Sequence, residues 1–135
     1  MKIDKFNCKI INTREINLHD DVLETFQFDR IQRKITFNLS RILDGEHLRT
    51  LCFYDVIGFE ISSCDFWGAS ECIYHFQYIE PDERVVIPNL INKWQTKVKT
   101  VPNITYDDYI ETLFIFSSGD EFRIACKEIE ILQLD

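Results

Sequence analysis

Glycine and proline are scarce in this chain, at 4 and 3 of its 135 residues. That scarcity excludes a collagen-like repeat and argues against a disordered, low-complexity segment. Long apolar runs are missing too. The longest, Leu51 to Tyr54 continued by Val56 to Phe59, is interrupted by Asp55. It falls well short of the roughly 20 residues that a membrane-spanning helix needs. Basic residues are outnumbered, 15 Lys and Arg against 23 Asp and Glu, which leaves a formal charge of −8. Such a surface repels phosphate backbones, and no Lys/Arg stripe offsets it, so nucleic acid is not an expected partner. The same charge keeps a small domain soluble. A secretory leader's apolar segment is absent at the start, where Lys2, Asp4 and Lys5 stand instead. The sequence therefore predicts a cytoplasmic protein with no membrane segment. An odd cysteine count, with five residues (Cys8, Cys52, Cys64, Cys72, Cys126), predicts reduced thiols packed as small hydrophobes.

What is present is apolar bulk. Hydrophobic residues make up 45% of the chain and phenylalanine alone supplies 11, enough for one core in one domain spanning residues 1–135. No repeat or linker divides it. Periodicity is mostly two, the signature of strands. Phe6 to Ile11 reads as a first, edge strand. Val22, Phe26 and Phe28 share one parity, as do Ile35, Phe37 and Leu39, and the polar stretch 29–33 between them predicts a hairpin. Arg49 to Phe59, apolar on both parities in its middle, predicts a central strand, with Gly58 a bulge or close packing point. Ile110 to Phe116, the turn 117–120 with Gly119, and Glu121 to Cys126 predict a second hairpin. Inward parity is even at Phe122, Ile124 and Cys126 but odd at Ile129 and Ile131, which predicts a bulge or bend near Lys127–Glu128.

Two segments read both ways. Residues 70–79 fit a helix behind Ser70 or a strand through Cys72, Tyr74, Phe76 and Tyr78. Val85 to Ile87 looks extended, while Leu90, Ile91, Trp94 and Val98 fit a helix starting at Pro88. Residues 99–108 read as loop. The expected architecture is mainly β, with α+β as the alternative: six to eight strands in a curled antiparallel sheet, sandwich or partly open barrel, with zero to two short helices.

Catalytic grammar is weak. His19, His47 and His75 lie in unrelated contexts, none beside a nucleophile motif. Cys64, Cys72 and His75 offer zinc-type ligands, but only Cys72 and His75 form the close pair that structural zinc sites show twice. Ser117 to Asp120 resembles an anion loop without the helix and lysine that would make it one. No catalytic residue, metal or cofactor is expected. His19, Asp20 and Asp21 form the most suggestive segment, suited to a metal or base and equally to a turn-capping role. Asp107 and Asp108, with Glu80, Asp82 and Glu83, add carboxylates that would suit a basic partner if they converged. Trp67 is the aromatic best suited to anchor an interface, if exposed.

The order of these pieces resembles a known group. His19 to Leu23 leads into an amphipathic strand; Lys34 to Leu39 follows; then come Leu51 to Val56, an apolar strand, Ser117 to Asp120 and Phe122 to Ile124. That order is similar to small β-rich bacterial domains, some grouped with immunity proteins of polymorphic toxin systems. The resemblance spans most of the chain and transfers no catalytic residue. It implies a cytoplasmic, non-enzymatic domain that neutralises a basic toxin domain by covering its active site. The alternatives from other classes are a small-molecule-binding β domain or minor enzyme with an apolar pocket, and a component that self-associates through an edge strand.

Overall fold

The computed structural model describes residues 1–41, 44–62, 72–97 and 104–133. Among them are nine strands and one α-helix. The strands are β1 (Lys2–Ile3), β2 (Asp21–Asp29), β3 (Lys34–Arg41), β4 (His47–Tyr54), β5 (Gly58–Ile61), β6 (Ile73–Tyr78), β7 (Ile110–Phe116), β8 (Glu121–Cys126) and β9 (Glu128–Gln133); the helix is α1 (Val86–Lys97). They form two antiparallel sheets, ordered β1-β9-β4-β3-β2 and β5-β8-β7-β6. The expected mainly β, sandwich-like class is what is found, with one helix.

Alternation builds the core. Ile35, Phe37 and Leu39 of β3 and Leu51 and Phe53 of β4 point inward from the first sheet. They meet Phe114, Phe116, Phe122 and Ile124 from the second. Phe37 touches Phe53, Phe114 and Phe122 at centroid separations of 5.0–5.8 Å, in the offset and edge-on geometries that aromatic quadrupoles favour. Along β2, Val22 bridges to Cys72 beside β6, Phe26 meets Phe122 of β8, and Phe28 meets Phe59 of β5. One strand thus crosses the second sheet from edge to edge, so the two sheets pack crosswise.

The chain changes sheet twice, and the two changes are paired. Tyr54 pairs with Glu128 in the first sheet and Gly58 with Ala125 in the second. Three residues, 55–57, therefore face two, 126 and 127. This bulge bends both strands together, and Lys127 N–H donates to the Tyr54 carbonyl across it. Asp55 takes the left-handed backbone, φ 54°, that the corner requires. The bend expected near Lys127 is there. Arg49 to Phe59, however, is two strands in two sheets, which is why the strand count exceeds eight.

The helix covers the outer face of the second sheet. Val86, Ile87, Leu90 and Ile91 lie over Tyr109 and Ala125. A Cβ on Gly58 would stand 2.7 Å from Leu90 Cδ1, so glycine there is a close packing point. The helix begins at Val86, not Pro88, and Val86 and Ile87 are helical, not extended. Pro88 sits in the first turn, where no intrahelical donor is needed. Glu111, fully buried in β7, accepts hydrogen bonds from Val85 N–H (2.7 Å) and Ile87 N–H (3.0 Å). It caps the helix from across the sheet.

The start of the chain also departs from expectation. Phe6 to Ile11 is not a strand: Cys8–Asn12 is a 3₁₀ helix. Asn7 Oδ1 accepts from Asp4 N–H, and Asp4 Oδ1 from Phe6 N–H. Such local bonds divert the backbone from pairing. Residues 106–108 form another 3₁₀ turn within the stretch read as loop.

Candidate protein-binding groove

Strand β6 is an edge of the second sheet, and residues 11–19 run beside it. Two contacts tie that segment to the edge. The Asn12 carboxamide imitates a neighbouring strand at Tyr78: its Oδ1 accepts from Tyr78 N–H (2.9 Å) and its Nδ2 donates to the Tyr78 carbonyl (3.2 Å). At the other end, Asp20 N–H donates to the Ile73 carbonyl (2.9 Å). Asp20 reaches it through a left-handed turn, φ 71°.

Between these ties lies an open groove of about 430 Å³. Strand parity fixes what faces it. Tyr78 turns its N–H and C=O outward to Asn12, whereas Ile79 N–H turns inward to the Glu111 carbonyl. Phe76, two residues before Tyr78, therefore also directs its peptide groups outward, and no described residue bonds to them there. The Phe76 ring stays with the core, stacked on Phe114 at 4.3 Å.

The rim is aromatic and acidic. Tyr74 is 61% exposed, flanked by His19 and His75 at ring separations of 5.7 and 6.1 Å. Glu80 and Glu83 line the far end, and among the described residues no Lys or Arg lines the groove. Arg84 lies behind it, its guanidinium donating to the Tyr78 hydroxyl at 3.3 Å. Burial raises the Tyr78 pKa, against the pull of that guanidinium.

The residues singled out in the sequence divide among different places. His19 Nδ1 lies 3.2 Å from Asp20 Oδ2, and both stand exposed at the groove's end. Asp21 does not join them: it is 6% exposed, its Oδ2 3.0 Å from Arg49 Nε. Desolvation lifts its pKa to about 6, outweighing the attraction of Arg49. Its carboxylate is turned into the fold toward Arg49, away from the exposed His19 and Asp20. Asp108 lines a separate depression of about 580 Å³, and its neighbour Asp107 is exposed. There Asp108 accepts from Lys5 Nζ at 2.6 Å, which lowers the Asp108 pKa, and Lys2 faces Glu128 at 3.8 Å. Two of its lysines thus face carboxylates, and Asp108 lies in a different depression from Glu80 and Glu83. Trp67, like Cys64, lies outside the described residues.

No group of three or more His, Cys, Asp or Glu among the described residues is placed to hold a metal. Cys72 is buried and His75 exposed, as core and surface residues. The other described cysteines are buried as well, and burial pushes the Cys126 thiol far above its usual range, which disfavours the nucleophilic thiolate.

No family model and no curated protein matches this chain. A solved structure described as an uncharacterized protein from Neisseria gonorrhoeae is similar with a TM-score of 0.55, covering 99% of each chain at 11% identity. That likeness extends over the whole fold and concerns the fold alone. Within the described residues no helix is long and apolar enough to cross a membrane.

Asn12, Tyr74 and Phe76 escaped the reading of the sequence as site residues. The alternation Cys72, Tyr74, Phe76, Tyr78 marks a strand, but an edge position depends on strand order, which local pattern does not encode.

Proposed function

We propose that this protein is a non-enzymatic, cytoplasmic protein-binding domain whose groove along β6 receives a basic partner. One observation carries the reading: an exposed strand edge flanked by Tyr74, His19 and His75 and closed by Glu80 and Glu83, with no Lys or Arg among the described residues of its lining. A large, half-rigid aromatic such as Tyr74 loses little entropy on docking and is the usual anchor of an interface. The net charge of −8 steers a basic protein toward it. The resemblance, in the order of its sequence segments, to small β-rich bacterial domains, some grouped with immunity proteins, supports the narrower version, in which the partner is a toxin domain whose active surface is covered.

Affinity capture from the native host, followed by identification of the captured protein, tests this. The expected result is a basic protein held by the wild type and lost, or weakened at least about tenfold, with Tyr74→Ala, the loss typical of an anchoring aromatic. Capture that is equal with both baits, or an acidic captured protein, contradicts it.

A further inference from the structure

Among the described residues, the groove's most specific feature is a gap in backbone pairing one residue wide. Asn12 occupies the outward peptide groups of Tyr78, and Asp20 occupies the carbonyl of Ile73. Phe76, between them, presents an N–H and a C=O to the groove. An exposed, unpaired strand edge templates the addition of another strand. Here the two ties leave it open over a short stretch and set its limits.

We infer that the partner is held by strand addition: an extended, lysine- or arginine-bearing segment pairs its backbone with Phe76, alongside β6, between Asn12 and Asp20. This rests on the protein-binding role proposed above and adds its mode and chemistry. Backbone bonds to Phe76 N–H and C=O supply the register. The cationic side chains meet Glu80 and Glu83 at one end and Asp20 at the other. The same charges argue against a second copy of this chain as occupant, because antiparallel self-pairing at Phe76 would set the Glu80/Glu83 end of each copy against the Asp20 end of the other and bring two chains of charge −8 together.

Backbone pairing depends little on sequence, so a generic probe suffices. The probe is a short capped peptide of alternating lysine and valine, added to the isotope-labelled full chain and followed by backbone amide shifts and amide hydrogen exchange. Perturbation and slowed exchange centred on Phe76, within 74–78, are expected. The effect should fall at least about tenfold, about 1.4 kcal/mol, for the same peptide with glutamate in place of lysine, for its backbone N-methylated form, and for the double variant Glu80→Lys, Glu83→Lys. Both glutamates are exposed, so the variant keeps the fold.

Absence of perturbation at 74–78 overturns the inference. Undiminished binding of the N-methylated peptide overturns it as well, because docking would then need no backbone pairing. Protection of Phe76 that grows with protein concentration without peptide would assign the edge to a second copy and also overturn it. If strand addition fails in this way while capture still recovers a basic partner that depends on Tyr74, the binding role stands and only its mode falls.

Discussion

Replacing Glu111 with alanine removes the acceptor for two backbone donors at the start of α1. Val85 and Ile87 donate to its two carboxylate oxygens at 2.7 and 3.0 Å, in a place where Ile87 is buried and no water reaches Glu111. Stranding a buried donor costs about 1–3 kcal/mol, so the buried Ile87 N–H and the part-buried Val85 N–H together cost at most about 2–6 kcal/mol. Removing a buried carboxylate returns part of its desolvation penalty, and Arg123, 3.9 Å away, keeps Glu121 as a second carboxylate at the same separation. The net loss should be about 2–4 kcal/mol, a large share of the roughly 5–15 kcal/mol that holds a small domain together. Glu111→Gln keeps one acceptor oxygen and should lose about half as much. Urea unfolding followed by far-UV circular dichroism gives the stability change, and amide exchange at Val85 and Ile87 locates it. A loss under about 1 kcal/mol for Glu111→Ala, with those amides still protected, would refute the capping role.

Two further perturbations follow. Asp21 has its folded-state pKa raised to about 6 from 3.8, so its contribution favours folding below about pH 4 and is lost as pH rises through 6. At about 1.4 kcal/mol per unit, that amounts to at most ~3 kcal/mol between pH 4 and 7. Urea midpoints of wild type and Asp21→Asn at both pH values should show the wild type losing stability relative to the variant on going to pH 7. Equal pH dependence contradicts the assignment. Gly58→Ala should cost about 1–2 kcal/mol, the usual penalty of overpacking, since its Cβ would meet Leu90 Cδ1 at 2.7 Å and Val86 Cγ1 at 3.2 Å. In Leu90→Ala the same substitution should be nearly neutral, which a double-mutant cycle reads directly.

The parts of this fold that were legible in the sequence are those set by local pattern. Ile35, Phe37 and Leu39 announce β3 by alternation, Gly119 marks the β7–β8 turn, and the parity change after Cys126 marks the corner where β8 gives way to β9. What escaped depends on partners distant in the chain. The break at Asp55 follows from a bulge shared with residues 126 and 127, more than 70 positions away. Helix α1 starts two residues early because Glu111 receives its first N–H groups, although a carboxylate inside the apolar run 110–116 was a signal of an unusual task. At the site, His19 and Asp20 reach a groove end as candidates, while Asp21 turns inward to Arg49, a distinction one residue wide that the left-handed Asp20 produces. Asp108 answers to Lys5 across the fold, and nothing near it in sequence predicts that pairing. The importance of Phe76 lies in its peptide groups and not in its ring, which composition and periodicity cannot register.

Hydrogen exchange on the complex with the captured basic partner addresses the binding account most directly. Slowed exchange should concentrate in residues 74–78 and in the facing segment 12–19, with the amide of Phe76 most affected. Protection that instead gathers around Lys5, Asp108 and Glu128, leaving the β6 edge as exchangeable as in the free protein, would contradict it.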